Sequence, residues 1–213
     1  MYNTILFDLD GTLTDPGLGI TNSVVYALKK WNIEVEDRSE LYPFIGPPLL
    51  YSFRTFYGFS DEQSEQAVAY YREYFREKGI FENEVYEGVT KLLETLKAAG
   101  KRLIIATSKP EEFAVKILEH FELAQYFEYI AGATMDATRH NKCDVIAYAL
   151  ETCGITDLSD VVMVGDREHD VLGARENGLD SIGVLFGYGN REELLAAGAT
   201  QIAETVEDIL NFV

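Results

Sequence analysis

The N-terminal stretch TILFDLDGTLTD, residues 4–15, places two carboxylates directly after an apolar run. Asp8 follows the run, and Asp10 stands two positions further on, beside a glycine and a threonine. Two acids at a strand end suit a division of labour, in which one carboxylate is a nucleophile and the other is a general acid and then a general base. The spacing therefore predicts nucleophilic and acid–base chemistry at this point of the chain.

Polar side chains follow two later apolar runs in the same way. The run LIIA leads into Thr107 and Ser108, and the run VVMVG leads into Asp166. Because the carboxyl ends of strands in an open parallel sheet meet at one edge, we expect these groups to lie close to the first two acids. Lys142, at the start of a predicted helix, can join this cluster from the side.

Acids gathered at one sheet edge repel each other unless a cation or a proton compensates their charge. A hard divalent cation with oxygen ligands is the simplest solution, and a few carboxylates together with waters and a phosphate oxygen suit Mg²⁺. Asp8 can present its carboxylate to both the metal and a substrate, while Asp10 can turn its side chain elsewhere and its carbonyl oxygen to the metal. We therefore predict a magnesium site.

The elements that position these residues follow from apolar patterns. Five short runs with little polar alternation are predicted to be buried parallel strands: residues 5–7, 103–106, 129–131, 161–164 and 182–185. Helical patterns lie between the later runs, and three of them end at a glycine: Gly100, Gly154 and Gly178. This alternation predicts an α/β fold, a Rossmann-like open parallel sheet with right-handed crossovers.

One region lacks a convincing strand pattern, and it begins soon after the first strand. Ser60 and Gln63 predict a capping box for an aromatic-rich helix in this region. We therefore expect an inserted all-α domain at residues 17–83 and a Rossmann-like core made of residues 1–16 and 84–213.

Composition limits the classes of partner. The 213-residue chain has a formal net charge of −18, which disfavours nucleic acid because phosphate backbones require a basic surface. It contains no apolar stretch of about 18 residues, so we expect no membrane span. Cys143 and Cys153 are too far apart for a disulfide if both lie on one helix, which favours a cytoplasmic protein with reduced thiols. We expect a monomer, with a dimer as the alternative.

Four motifs occur in one order and span nearly the whole chain: DLDGT at 8–12, TSK at 107–109, Lys142, and GDREHD at 165–170. With these motifs the sequence resembles a haloacid dehalogenase superfamily phosphohydrolase, similar to the phosphoglycolate phosphatase-like branch with a helical C1-type cap. The pairing of D-x-D-G-T with a later G-D-x-x-x-D, each after a strand, is highly specific. The resemblance implies that the inserted helical domain is the cap.

The resemblance also implies roles for the four acids. Asp8 attacks phosphorus and becomes an aspartyl-phosphate, while Asp10 protonates the leaving oxygen and then deprotonates the hydrolytic water. Asp166 completes the Mg²⁺ site with Asp8 and Asp10. Asp170 is either a further metal ligand or a partner of Lys142.

The remaining motif residues are implied to bind the phosphoryl group. Thr107 donates a hydrogen bond to it, the backbone amide of Ser108 helps, and Lys142 neutralises its charge and steadies Asp8. The implied activity is the Mg²⁺-dependent hydrolysis of a small phosphorylated metabolite, in the manner of a phosphoglycolate phosphatase. A 5'-nucleotidase or a pyrophosphatase of the same family is the alternative.

Two other functions fit the sequence less well. A phosphosugar mutase would need basic or imidazole groups after the first strand, and the segment PGLGITNSVVYAL at 16–28 has none. A non-catalytic receiver domain would place its phosphorylated Asp on a later strand, but Gly132, Ala133 and Thr134 follow the strand at 129–131. Hydrolysis is therefore the favoured reaction.

Single residues also have simpler explanations, because Asp166 or Thr107 alone would suit a helix cap and Lys142 alone a solvated surface. If these simpler explanations accounted for all the motif residues, five independent coincidences of residue type and spacing would be needed. His169 is expected to be a partly exposed residue at a helix start. Arg54, in the insert, is expected to be a solvated charge, with contact to a substrate carboxylate as the alternative.

Overall fold

A computed structural model describes residues 2–136 and 138–213 of the chain. The chain divides into two compact units, the first made of Met1–Thr14 and Val85–Val213 and the second of Asp15–Glu84. The chain passes from one unit to the other at two very short strands, β2 (Thr14–Asp15) and β3 (Glu84–Val85), which form a separate two-stranded sheet.

The first unit is built on a six-stranded sheet in which every neighbouring pair is parallel. Its strands are β1 (Thr4–Phe7), β4 (Arg102–Pro110), β5 (Tyr129–Ala133), β6 (Val161–Gly165), β7 (Asp180–Val184) and β8 (Gln201–Ala203). Their order across the sheet is β5-β4-β1-β6-β7-β8. The predicted α/β fold with a Rossmann-like parallel sheet is confirmed.

Helices connect the strands of this sheet: α4 (Val89–Ala98), α5 (Glu111–His120), α6 (Lys142–Thr152), α7 (Glu168–Glu176) and α8 (Arg191–Ala197). Every residue of β1 and of β6 is buried, as expected for strands covered on both faces. Each helix contributes an apolar stripe; in α4 the buried residues are Val89, Leu92, Leu93 and Leu96. Burial of these stripes against the strands forms the core of the unit.

The strand order reverses between β1 and β6. The chain runs from β1 to β4 and β5 on one side, and then returns to place β6, β7 and β8 on the other. Ligands of open α/β sheets bind beyond the carboxyl ends of the strands at such a reversal. The segments that follow β1 and β6 carry Asp8 and Asp166, so these acids flank this point.

The main differences from the predicted strands concern β7, β8 and β4. The strand β7 begins at Asp180 rather than Ile182, because its first two residues pair with β6 although their side chains are polar. The edge strand β8 was not predicted, since three residues are too few to show a period. The strand β4 continues to Pro110 through an irregularity in its pairing with β5 between Thr107 and Pro110.

The second unit contains three α-helices, α1 (Gly17–Lys29), α2 (Leu49–Tyr57) and α3 (Asp61–Glu77), with 3-10 turns at Arg38–Phe44 and Gly79–Phe81. The predicted capping box opens α3: the Ser60 hydroxyl accepts from the Gln63 amide, and the Gln63 side chain accepts from the Ser60 amide. The helix ends at Glu77. Phe44 and Phe53 of this unit are both buried, and the centroids of their rings lie 5.0 Å apart.

Within the described residues, no helix has both the length and the apolar character needed to cross a membrane. Cys143 lies in α6 and Cys153 at the end of that helix, and both are free thiols. Partial burial raises the pKa of each thiol. A raised pKa keeps a thiol protonated and less reactive, as expected for cysteines that only pack.

Candidate active site

Asp8 is held at the carboxyl end of β1 by the sheet itself. Its backbone amide donates to the carbonyl of Val164 in β6 at 2.9 Å, so the residue continues the parallel ladder one position beyond Phe7. The chain then turns sharply, and Gly11 has a positive φ of 83°. A Cβ at this position would lie 2.2 Å from Oδ2 of Asp166, so only glycine lets the turn approach that carboxylate.

Lys142 joins two acids from separate parts of the chain. Its Nζ lies 2.8 Å from Oδ1 of Asp8 and 2.8 Å from Oδ1 of Asp170, and it donates to the carbonyl of Ala106 at 3.0 Å. The residue is only 6% exposed. Burial favours the neutral amine, but the charges of Asp170 and Asp8 outweigh it and raise the pKa of Lys142. Lys142 is therefore a permanent cation at neutral pH.

Asp166 and Asp170 are oriented by backbone amides. Oδ2 of Asp166 accepts from the amide of Tyr188 at 2.8 Å, and Oδ2 of Asp170 accepts from the amide of Arg167 at 3.1 Å. Burial raises the pKa of both carboxyls, and the neighbouring charge of Asp8 raises each further. In the pKa of Asp170, the charge of Lys142 opposes this shift. In each acid, Oδ2 is therefore held by a backbone amide, and Oδ1 is left for another partner.

These residues fit a divalent cation. Asp8, Asp166 and Asp170 each offer a carboxylate oxygen, and the three oxygens lie within 4.8 Å of one another. Oδ1 of Asp166 is buried and has no hydrogen-bond partner among the residues that the structure describes. An ionised, unpartnered carboxylate in such a place is costly, and an all-oxygen ligand set suits a hard cation such as Mg²⁺.

Asp10 is not one of the three grouped acids, and its side chain contacts Lys109. The ammonium of Lys109 forms a very short ion pair with Oδ2 of Asp10, and both residues are largely buried. Burial raises the pKa of Asp10 although the charge of Lys109 opposes the shift. Lys109 belongs to the TSK motif, but no role was predicted for it. A lysine soon after a strand end carries no local feature that identifies its partner.

Thr107 and Ser108 lie where the pairing of β4 with β5 becomes irregular. Such irregularities re-aim side chains and are common beside active sites. Thr107 is buried, and its hydroxyl accepts from the amide of Lys109 at 3.2 Å. It stands two residues beyond Ile105, which pairs with Phe7 of β1, so it lies at the same sheet edge as Asp8. Ser108 is partly buried.

Two further residues singled out in the sequence lie outside the acidic cluster. Arg54 pairs at 3.0 Å with Asp61 in the second unit, and both side chains are exposed. Arg54 is therefore a solvated charge in this structure. His169 is partly buried in the first turn of α7.

The site can be compared with known proteins. The family model described as haloacid dehalogenase-like hydrolase matches residues 5–184. A 5'-nucleotidase from Pseudomonas aeruginosa is 47% identical over 92% of this chain and 88% of its own length. A tyrosine-protein kinase, PtkA, from Mycobacterium tuberculosis is 39% identical over 96% of this chain and 70% of its own length.

Among solved structures, that of a predicted phosphatase from Clostridium acetobutylicum superposes with a TM-score of 0.97 at 51% identity. The match covers 100% of this chain and 98% of that one. Together with the family model, this likeness confirms the predicted family and the prediction of a phosphatase. The chain belongs to the haloacid dehalogenase-like hydrolase family.

Proposed function

We propose that this enzyme hydrolyses small phosphate monoesters in a Mg²⁺-dependent reaction through an aspartyl-phosphate on Asp8. The observation that carries the proposal is the cluster of Asp8, Asp166 and Asp170, whose oxygens lie within 4.8 Å of one another, with Lys142 between two of these acids. Phosphoryl transfer depends mainly on positioning and charge compensation, and this cluster supplies the groups for both.

Asp8, Asp166 and Asp170 would hold the cation through their carboxylate oxygens, and the backbone carbonyl of Asp10 is a fourth proposed ligand. When bound, Mg²⁺ offsets the negative charge of these carboxylates and of the phosphoryl oxygens. The negative charge of Asp170 would also be compensated by Lys142, whose Nζ lies 2.8 Å from Oδ1 of Asp170.

The proposed chemistry has two steps. In the first, a carboxylate oxygen of Asp8 bonds to phosphorus, the ester P–O bond breaks, and the leaving oxygen takes a proton from Asp10. In the second, Asp10 accepts a proton from water, whose oxygen attacks phosphorus and releases Asp8 and inorganic phosphate. Burial raises the pKa of Asp10 and so favours the protonated form that the first step needs.

The transferring phosphoryl group would be held by residues of β4 and α6. The Thr107 hydroxyl and the Ser108 amide are proposed donors at the irregular end of β4. Lys142, fixed by the carbonyl of Ala106, would add a positive charge beside Asp8. These groups are proposed to bind the phosphoryl group more tightly as negative charge develops on its oxygens.

The identity of the substrate is a separate part of the proposal. We propose that residues 17–83 act as a cap that recognises the part of the substrate beyond the phosphate. The relative named a 5'-nucleotidase is 47% identical, whereas relatives named pyrophosphatase and phosphoglycolate phosphatase are 32% and 28% identical. We therefore place nucleoside 5'-monophosphates first among the substrates to be tested, before pyrophosphate and phosphoglycolate.

A second candidate reaction comes from the relative named a tyrosine-protein kinase. In that reaction a tyrosine hydroxyl, rather than water, would take the phosphoryl group from Asp8. Hydrolysis is favoured because the family model that matches most of the chain is described as a hydrolase.

The test is a phosphate-release assay with Mg²⁺ on nucleoside 5'-monophosphates, pyrophosphate, phosphoglycolate and sugar phosphates. A separate arm supplies labelled ATP and a tyrosine-containing protein. Label on tyrosine, without release of free phosphate, would establish the kinase reaction instead. No activity on any phosphate ester with Mg²⁺ would refute the proposal.

Asp8→Asn tests the nucleophile. An amide cannot form the acyl-phosphate, so we expect turnover to fall on the order of 10³-fold or more with the fold intact by circular dichroism. Asp144→Asn is the matched control, because Asp144 is exposed on α6 and its substitution changes the net charge equally. Substantial activity in Asp8→Asn would assign the nucleophile to another residue.

A further inference from the structure

A segment outside the sequence motifs lies against the acidic loop at 165–170. It is the stretch between β7 and the first turn of α8, residues 186–193. The amide of Tyr188 in this segment donates to Oδ2 of Asp166 at 2.8 Å. The ring of Phe186 packs edge-on against Tyr86 at 5.4 Å, which anchors the start of the segment.

Two glycines let the segment approach the backbone of the site. A Cβ at Gly187 would lie 2.2 Å from the carbonyl oxygen of Gly11, and a Cβ at Gly189 would lie 1.9 Å from the carbonyl oxygen of Asp166. Both obstacles are backbone atoms, so no side-chain rotation could relieve the contact. The segment therefore fits directly against both acid-bearing loops.

Glu193 extends the contact to the start of α7. Its Oε1 accepts from Nε of Arg167 at 2.8 Å and from the backbone amide of Glu168 at 2.9 Å, and its side chain is only 17% exposed. The amide of Glu193 in turn donates to the side chain of Asn190 at 2.9 Å. Glu193 thus ties the segment to the turn whose Arg167 amide holds Asp170.

The consequence concerns the free oxygens of the acids. Tyr188 occupies Oδ2 of Asp166 and leaves its Oδ1 buried without a partner in the described part of the chain. The backbone amide of Arg167 occupies Oδ2 of Asp170 and leaves its Oδ1 beside Lys142. The segment therefore orients Asp166 directly, and it reaches Asp170 through the Arg167 turn that Glu193 holds.

We infer that residues 186–193 form a positioning segment for the cation site, with Glu193 as its positioning residue. This inference rests on the proposed function, because it assumes that the acids bind Mg²⁺. Glu193 acts through Arg167 and Glu168, from which its Oε1 accepts hydrogen bonds. Groups that orient metal ligands in this way change metal affinity about 10- to 100-fold when they are removed.

The experiment measures the Mg²⁺ concentration that gives half of the maximal increase in melting temperature, for the full chain. We expect Glu193→Ala to raise this concentration about 10-fold or more. Glu193→Gln keeps an oxygen acceptor for the Glu168 amide, so it should restore much of the affinity. Glu192→Ala is the control, because Glu192 is exposed on the same helical turn and should leave the value unchanged.

A second readout separates positioning from general loss of structure. With excess Mg²⁺, the phosphatase activity of Glu193→Ala should return towards that of the wild type with the KM for the phosphate ester unchanged. Gly189→Ala tests the close approach independently, and its half-saturating Mg²⁺ concentration should rise at least as much. If Glu193→Ala and Glu192→Ala bind Mg²⁺ equally well, the inference is wrong. If Mg²⁺ does not raise the melting temperature of the wild type, the proposed Mg²⁺ dependence is itself wrong, and the inference that rests on it is wrong as well.

Discussion

At the scale of single residues, Lys142 is the group on which the electrostatics of the site depend. It lies between Asp8 and Asp170, and the side chains of all three are almost completely buried. A buried ion pair gains little overall relative to apolar packing, but the loss of one partner leaves an uncompensated charge. The lysine was a candidate because of its position at a helix start, and the family resemblance implied contact with Asp8 and, as one of two alternatives, with Asp170. Its distances to both acids are set by the tertiary structure.

Replacing Lys142 by methionine should therefore destabilise the fold as well as abolish activity. We expect the free energy of unfolding to fall by about 3–5 kcal/mol near neutral pH in the absence of Mg²⁺. Denaturant unfolding measures this change, and Lys91→Met on the exposed face of α4 is the control. Equal stability of Lys142→Met and the control would show that the two acids do not need the lysine.

The same variant has a defined pH dependence. Burial already raises the pKa of Asp170 above its unfolded value, and removal of Lys142 takes away an interaction that lowers it. A carboxyl with a raised folded pKa destabilises the fold above that pKa, and this cost disappears as the pH falls. The stability deficit of Lys142→Met should therefore shrink as the pH is lowered from neutrality towards the unfolded pKa of the carboxyl.

At the scale of elements, the site is assembled where loops leave parallel strands. The turn after β1 and the loop after β6 are so close that a Cβ added at Gly11 would clash with the carboxylate of Asp166. The sequence indicated both loops from their motifs. The irregular pairing of β4 near Thr107 depends on β5. The contact of Lys109 with Asp10 depends on the turn after β1. No local sequence pattern predicts either feature.

Gly11→Ala tests this close approach. The positive φ of Gly11 alone should cost about 1 kcal/mol or more of stability, because alanine rarely adopts it. The added Cβ should also displace Asp166 and abolish the proposed Mg²⁺-dependent activity. Gly100→Ala is the matched control, since Gly100 has a φ of 76° with nothing within 4 Å of an added Cβ. That control should lose stability while keeping activity, and loss of activity in both variants would assign the effect to the backbone alone.

At the scale of the whole molecule, the net charge of −18 makes the buried acids an electrostatic cost. Burial raises the pKa of Asp166 well above its ordinary value, which means that its ionised form destabilises the native state. A cation bound only by the native state stabilises it, by about 2.7 kcal/mol at 100 times its dissociation constant. Folding stability should therefore depend on Mg²⁺.

Asp166→Asn should remove most of this dependence. In a chelator near neutral pH, we expect the variant to melt at a higher temperature than the wild type, because one buried negative charge is removed. With Mg²⁺, the wild type should gain stability and the variant should gain little. Glu65→Gln, an exposed substitution on α3, should respond to Mg²⁺ like the wild type. The advantage of Asp166→Asn in the chelator should shrink as the pH falls, since the wild-type carboxyl then becomes protonated.

The sequence by itself determined the class of the fold and the residues that could do chemistry. Apolar runs of strand length, and stripes with helical spacing that end at glycines, are local patterns, so they predicted β1, β6 and α4 directly. The acids after β1 and β6 were found because the carboxyl ends of parallel strands must meet at one edge.

Only the tertiary structure decided which atoms face each other. The pairing of Lys109 with Asp10, the amide of Tyr188 on Asp166 and the reach of Glu193 to the start of α7 join residues that are 22 to 99 positions apart. Their partners are set by strand order and by the approach of one loop to another. Such distances depend on the packing of the whole sheet, and for that reason no spacing along the chain encodes them.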